Sequence, residues 1–276
     1  MNRRFDEWPA IAMVVTLFTV LAFAAPAAAA TEPPAGAAVV GASAVIFTAA
    51  LLSSIAGFAF SALAGAPLLF LFGDPLQAVA VMIACSIAIQ AYCVWALRRL
   101  IEWRSLRPFV AAGALTVPLG AWLLAHTPPS TFAIGLGVFL TAYAMYMLWR
   151  GEAPVLRGGW RRDALAGALG GVAGGLAGFP GSFVTIWCGM RGWSKERQRA
   201  VYQPYILVMQ LEALACIGVQ APAAIVPEIA LAYMPVALIA ACAGLAVFRR
   251  LTTRQFALAV NGLLLVSGIA LFSGAL

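Results

Sequence analysis

The stretch LAGFPGS at Leu176–Ser182 breaks a long apolar segment in its middle, and IAGFAFS at Ile55–Ser61 breaks another in the same way. A glycine-aromatic pair inside a helix lowers its stability, and a proline such as Pro180 suits the first turn of a new helix. The sequence therefore predicts two hydrophobic segments, 43–72 and 164–190, each divided into two shorter helical legs at a Gly-Phe pair. The question is why two apolar helices break at equivalent Gly-Phe pairs, Gly57-Phe58 and Gly178-Phe179.

The composition indicates that most of this chain is surrounded by lipid. Hydrophobic residues make up 63% of the 276 residues and charged residues only 10%, whereas a soluble domain carries about 25% charged residues. The net charge of +7 comes from short basic clusters between apolar segments, a pattern typical of cytoplasmic membrane loops rather than of nucleic-acid binding. We therefore predict an all-α polytopic membrane protein with basic cytoplasmic loops and no nucleic-acid partner.

The cysteines and the single histidine predict neither a metal site nor a cofactor. All five cysteines lie in apolar segments without a CxxC pair, so we expect buried free thiols. His126 falls in a predicted loop without a carboxylate cluster that would complete a metal site. No motif for nucleophilic or metal-dependent catalysis is present, and the sequence does not predict an enzyme.

The segment 1–30 is typical of a secretory signal peptide or of an uncleaved N-terminal anchor helix. Arg3 and Arg4 precede the apolar stretch 11–25, which small residues follow. Both alternatives leave the two arginines in the cytoplasm and Thr31 outside.

The basic clusters favour re-entrant hairpins over kinked crossings for the two broken segments. The first legs, 43–56 and 164–177, each span roughly 21 Å as helices, less than the ~30 Å hydrocarbon core. If both segments re-enter, all 17 Lys and Arg residues are cytoplasmic; if the second crosses, the clusters 191–199 and 249–254 put 7 of the 17 outside. The remaining apolar segments match single membrane helices: 75–97, 108–125, 131–149, 200–220, 226–248 and 255–274.

Residues 37–150 and 163–276 are predicted to be two copies of one unit. At an offset of 121 residues, Gly57-Phe58 aligns with Gly178-Phe179. Each unit then contains one broken hairpin and three spanning helices, and the odd number of crossings inverts the second copy. Such inverted repeats are common in secondary transporters.

The two breaks form the predicted site for a small anion. Where the second legs begin, two helix N-termini direct unpaired N–H groups and partial positive charge towards one point near the midplane. No Lys or Arg lies within a predicted span, so these dipoles are the main attraction for an anion. The predicted substrate-binding residues are Gly57, Phe58, Ser61, Gly178, Phe179, Pro180, Gly181, Ser182 and Gln203.

Other small and polar residues have structural alternatives. Tight helix packing is the alternative for the glycines of the breaks. It is also the role expected for the glycine stripe that precedes the second break, Gly167, Gly170, Gly171, Gly174 and Gly175.

Glu212 is the only acidic residue deep in a predicted span, within the polar stretch AVYQPYILVMQLEALA. An ionisable group there is costly, which makes Glu212 a candidate for proton coupling. The alternative is a protonated glutamic acid that hydrogen-bonds a neighbouring helix. Tyr202 and Tyr205 are either interfacial or part of the site, and Gln90 and Asn261 are expected to join helices.

The chain resembles the sulfite exporter TauE/SafE family of bacterial membrane proteins. Both Gly-Phe segments, RRLIEWRSLRPF at 98–109 and VPLGAWLL at 117–124 carry the resemblance, which covers about residues 40–275. It implies a secondary transporter of the bacterial inner (plasma) membrane that exports sulfite or an organosulfonate. One departure is Phe60, which aligns with Gly181 and makes the first break bulkier.

The residues leave several alternatives open. An anion uptake carrier, a channel and a non-transporting accessory subunit all fit the same pattern. A homo-oligomer is also compatible with it.

Overall fold

The protein is helical throughout the residues that the structure describes. A computed structural model describes residues 35–72, 75–126, 129–150, 155–156, 158–220 and 227–273, and it contains no strand in them. The predicted signal or anchor segment lies outside these residues. The helices are α1 (Ala35–Ala56), α2 (Phe60–Phe72), α3 (Pro75–Leu97), a 3-10 turn (Arg98–Leu100), α4 (Trp103–His126), α5 (Pro129–Arg150), α6 (Trp160–Ala177), α7 (Gly181–Met190), α8 (Lys195–Gln220), α9 (Pro227–Arg250) and α10 (Thr253–Ser273).

Five of the described helices are long and apolar enough to cross a membrane, which confirms the predicted all-α polytopic class. Four of them, in α3, α4, α9 and α10, fall on predicted single spans. The fifth lies in α1 and corrects the predicted length of the first leg, because small apolar residues at 35–42 extend this helix to 22 residues. The apolar windows are Val39–Ala56, Val81–Leu100, Trp103–Leu123, Leu231–Arg250 and Thr253–Ala270.

Each broken segment folds back on itself. In the first, Leu71 near the end of α2 packs beside Gly41 near the start of α1. In the second, Arg191 after α7 donates from Nη1 to Oδ1 of Asp163, in the first turn of α6, at 2.5 Å. Each segment therefore starts and ends at the same end of the molecule, which is the chain path that a re-entrant hairpin requires.

Several basic clusters meet at one end of the molecule, which we name the basic face. Arg197 Nη2 pairs with Glu102 Oε2 at 2.9 Å, and Lys195 Nζ donates to the carbonyl of Leu251 at 2.5 Å. The positive-inside rule places such an end in the cytoplasm. The basic face comprises residues 98–104, 158–163, 191–197 and 249–254.

The helix packing has a two-fold pattern. Helix α4 packs along α6 and α9 along α1, while α9 also contacts α3 and α4 contacts α8. Helices α5 and α10 pack against each other. If α1–α5 are exchanged in order for α6–α10, the α4–α6 pair becomes α9–α1 and the α9–α3 pair becomes α4–α8. The α5–α10 pair becomes itself, so the set of contacts is unchanged, as two related units would require. The inversion of one unit relative to the other stays a prediction.

Helices α4 and α6 approach so closely that side chains do not fit between them. A Cβ built at Gly171 would collide with the Gly113 carbonyl, and one at Gly175 would collide with the Val117 carbonyl and lie 2.7 Å from the Ala121 nitrogen. This part of the glycine stripe is therefore a packing surface, as the sequence predicts.

Replacing Gly175 with Ala should lower the free energy of unfolding by about 1–3 kcal/mol, because the new Cβ forces α4 and α6 apart. The measurement is thermal or denaturant unfolding of the purified protein in detergent. Gly262→Ala in α10 is the control, since nothing lies within 4 Å of a Cβ there. Equal stability of the two variants would contradict the close approach of α4 and α6.

Candidate functional site

The two breaks meet in the interior of the protein. The rings of Phe58 and Phe179 are stacked with their centroids 6.1 Å apart, and Tyr202 lies edge-on to Phe58 at 6.5 Å. Phe58 and Phe179 are 1% and 3% exposed. A Cβ built at Gly181 would lie 3.2 Å from the Cβ of Phe58. The structure thus brings the predicted residues of both breaks together.

The second break is capped by its own backbone. Gly178 has φ 62° and ψ 24°, the left-handed conformation that glycine adopts without steric cost. Its N–H donates to the Gly174 carbonyl at 2.9 Å, and the Phe179 N–H donates to the Ala173 carbonyl at 3.3 Å. Pro180 then precedes the first residue of α7. The local sequence is therefore sufficient to end α6 and start α7.

The first break is capped by side chains from other helices. Gly57 has φ 90° and Ala59 has φ 74°, a conformation that alanine rarely adopts. The last carbonyls of a helix have no partner within it, and in hydrocarbon each needs one. Three side chains supply these bonds: Arg199 Nη1 to the Ile55 carbonyl at 3.4 Å, the Tyr202 hydroxyl to the Ala56 carbonyl, and Gln90 Nε2 to the Gly57 carbonyl at 3.3 Å.

Arg199 corrects the prediction that this residue belongs to a basic loop between helices. The helix begins at Lys195 rather than at 200, so Arg199 falls in the second turn of α8, where it is fully buried. Its guanidinium lies 4.1 Å from the ring centroid of Phe248, and its Nε has no hydrogen-bond partner. No described acidic residue forms an ion pair with it. The positive charge therefore has no counter-ion among the described residues.

Gln203 extends this polar cluster by one helical turn. It lies four residues after Arg199, hence on the same face of α8. The residue is fully buried, and its amide has no hydrogen-bond partner beyond a weak contact with the Cys93 thiol. The amide oxygen of Gln90 also lacks one. A buried polar group without a partner costs about 1–3 kcal/mol, so this cluster provides unused donors and acceptors for a ligand or water.

The serines of the two breaks differ in their surroundings. Ser182 is fully buried, and its hydroxyl donates to the Phe179 carbonyl at 3.2 Å instead of capping α7. Pro180 provides no side-chain cap either. The N-terminus of α7 thus keeps its partial positive charge at the meeting point of the breaks. Ser61, at the second residue of α2, is partly exposed.

The structure separates Glu212 from the two breaks. Glu212 lies nine residues beyond Gln203, about 13 Å along α8, and is partly exposed. It has no hydrogen bond or ion pair within the described part of the chain. The two tyrosines of the same helix, Tyr202 and Tyr205, are fully buried within the protein. The Tyr205 hydroxyl donates to the Gly167 carbonyl at 2.7 Å.

The cysteines follow the prediction only in part. Cys85, Cys93 and Cys188 are buried free thiols, whereas Cys216 is partly exposed and Cys242 is exposed. The Cys93 sulfur accepts a bond from Arg199 Nη2 at 3.8 Å. Within the described ranges, no group of His, Cys, Asp and Glu side chains could hold a metal ion.

These features define the class of the protein. Apolar spanning helices combined with two discontinuous helices that meet in the interior are the architecture of membrane transporters. The model of the sulfite exporter TauE/SafE family matches residues 42–271, which confirms the resemblance seen in the sequence. The chain belongs to that family, a family of membrane exporters of sulfite and related sulfur anions. A search of curated proteins and a search of solved structures gave no match.

Replacing Tyr202 with Phe should destabilise the protein by about 1–3 kcal/mol, because the Ala56 carbonyl loses its partner in a water-free interior. Tyr233→Phe is the matched control, since this tyrosine is 7% exposed and packs its ring on Phe72 at 6.0 Å without a hydroxyl contact in the described residues. Denaturant unfolding in detergent measures both. A Tyr202 variant as stable as the Tyr233 variant would contradict the proposed capping of the first break.

Proposed function

We propose that this chain is a secondary transporter that exports a small sulfur-containing anion, sulfite or an organosulfonate, across the bacterial inner membrane. The anion is held where the two breaks meet, by the residues predicted from the sequence together with Arg199. The observation that carries the proposal is the buried guanidinium of Arg199 beside Gly57, without an acidic partner in the described residues.

The electrostatics of Arg199 support an anionic ligand. A buried charge is costly unless an opposite charge or several hydrogen bonds compensate it. Here the compensation comes from the Ile55 carbonyl at 3.4 Å, the Cys93 sulfur at 3.8 Å and the Phe248 ring at 4.1 Å, which are dipolar or polarisable groups rather than charges. An oxyanion supplies the missing charge and offers several acceptor oxygens to the planar fork of a guanidinium.

Neutral donors complete the proposed site. The amide of Gln203 lies one turn from Arg199 and is free to donate, and the N-terminus of α7 contributes its partial positive charge. This arrangement resembles the broken-helix anion sites of secondary transporters. The geometry supports an anion, and membership of the family supports sulfur as its central atom.

The position of the site supports release of a cytoplasmic anion. Arg199 lies four residues from Lys195, about 6 Å along α8 from the basic face. The positive-inside rule places that face in the cytoplasm, so Arg199 lies within about one helical turn of the cytoplasmic end of α8. The two-fold helix packing supports alternating access by movement of one unit against the other. Glu212, further along α8, is the proposed proton-coupling residue.

Efflux from proteoliposomes tests the proposed function. Vesicles are loaded in turn with sulfite, sulfate, thiosulfate, sulfoacetate, taurine or acetate as a carboxylate control. We expect saturable efflux of one sulfur oxyanion, a loss of at least about tenfold in affinity for Arg199→Gln, and a partial recovery for Arg199→Lys, which retains the charge. Arg197→Gln is the matched control, because Arg197 is exposed and pairs with Glu102 at the basic face.

Two results would contradict this proposal. Efflux of none of the anions by correctly folded protein would favour the accessory-subunit alternative. Equal transport by the Arg199→Gln and Arg197→Gln variants would show that Arg199 does not bind the anion. Unfolding curves of all three variants separate a loss of binding from a loss of the cap on α1.

Replacing Glu212 with Gln should abolish the pH dependence of transport while leaving transport at the optimal pH measurable. The physical reason is that the amide has the shape of the acid but cannot release a proton. Initial efflux rates at a series of pH values provide the measurement. A variant with the wild-type pH profile would exclude Glu212 from proton coupling.

A further inference from the structure

A cavity of about 70 Å³ lies between α5, α7, α8 and α10, apart from the meeting point of the two breaks. Three lining residues lie near its basic-face end: Arg254 in the first turn of α10, Gly189 at the end of α7 and Met147 at the end of α5. Arg254 is exposed, so this end of the cavity reaches the solvent at the basic face.

The polar lining of the cavity favours an anion. Thr185 is 1% exposed, and its hydroxyl has no hydrogen-bond partner. Asn261 and Tyr143 add neutral polar side chains to the lining, Gln198 Nε2 already donates to the Trp193 carbonyl at 2.9 Å, and Arg254 adds a positive charge. None of the described lining residues is Asp or Glu. An anion in the cavity therefore meets donors and one cation without like-charge repulsion.

The size and the apolar walls of the cavity restrict the ligand. A water molecule needs about 10–15 Å³ on this measure, so the cavity has room for about five non-hydrogen atoms. An oxyanion head group with a short alkyl substituent fits these dimensions. The substituent would contact the apolar part of the lining, which consists of Met147, Ile186, Ala257, Leu258, Val260 and Leu264.

The cavity shares two helices with the site at the breaks. Thr185 follows Gly181 by four residues on α7, which is about 6 Å along the helix axis. Gln198 directly precedes Arg199 on α8. A ligand in the cavity is thus within about one helical turn of the second break, on the side of the basic face.

The geometry points to a second anion site in this cavity, which binds a small sulfonate or sulfite from the basic face before it reaches the breaks. The inference rests on the proposed function in taking the transported anion as the ligand. Thr185 and Asn261 bind the oxyanion, Arg254 attracts it at the mouth, and the apolar walls accept a methyl-sized substituent.

Calorimetric titration of the detergent-purified protein with sulfite and with methanesulfonate tests this site without transport. We expect two binding sites in the wild type. Thr185→Val and Arg254→Gln should each weaken one of the two by about tenfold, while Arg199→Gln should weaken the other. Thr185→Ser retains the hydroxyl and should bind as the wild type does. Arg250→Gln, at the basic face but outside the cavity lining, is the control for charge.

Transport provides a second readout that distinguishes the two sites. The cavity variants should raise KM for an anion supplied at the basic face, with kcat from that face unchanged. A single binding site in the wild type, or wild-type binding by both cavity variants, would overturn the inference and leave the proposed function standing. If no anion is transported but Thr185→Val still weakens binding, the proposed function fails and the cavity site stands.

Discussion

The structure depends on one constraint: a backbone that breaks within hydrocarbon must find partners for its freed polar groups inside the protein. The second break meets this constraint locally, because Gly178 turns the chain so that the N–H groups of Gly178 and Phe179 donate to carbonyls of the preceding helix. The first break meets it through Arg199, Tyr202 and Gln90, which come from α8 and α3. The first hairpin is thus held by helices distant in the sequence.

The first break is capped by side chains and the second by backbone groups, so the proposed site is asymmetric although the helices around it pack in a two-fold pattern. At the offset that aligns the breaks, Arg199 of the second unit corresponds to Ala78 of the first. Only one unit therefore brings a guanidinium to a break. The charge that caps α1 also faces unpaired amide groups at the meeting point, so capping and the proposed anion binding depend on the same side chain.

The sequence is sufficient to predict the helical class, the two breaks and the packing role of the glycine stripe in α6, because glycine, proline and hydropathy act locally. Arg199 could not be predicted in the same way. The hydropathy pattern assigns it to a basic loop, whereas the helix extends beyond the apolar stretch and Ile55, its carbonyl partner, is 144 residues away. Gln203 can be predicted as a site residue because a polar amide within an apolar helix is visible in the sequence without knowledge of its partners. The cavity beside Thr185 requires four packed helices and has no sequence signal.

The guanidinium of Arg199 also couples anion binding to the conformation of the first hairpin. Its Nη1 donates to the Ile55 carbonyl at the end of α1, its Nη2 donates to the Cys93 sulfur, and its Nε has no partner. An anion bound to this guanidinium, as proposed above, would compete with the Ile55 carbonyl for a donor and thereby loosen the end of the first hairpin. The coupling is reciprocal. If the anion shifts the equilibrium between the bonded and the displaced first hairpin by some factor, the two hairpin conformations must differ in anion affinity by the same factor. The hydrogen bond from Arg199 to the Ile55 carbonyl would therefore hold the first hairpin in place until an anion binds and breaks that bond.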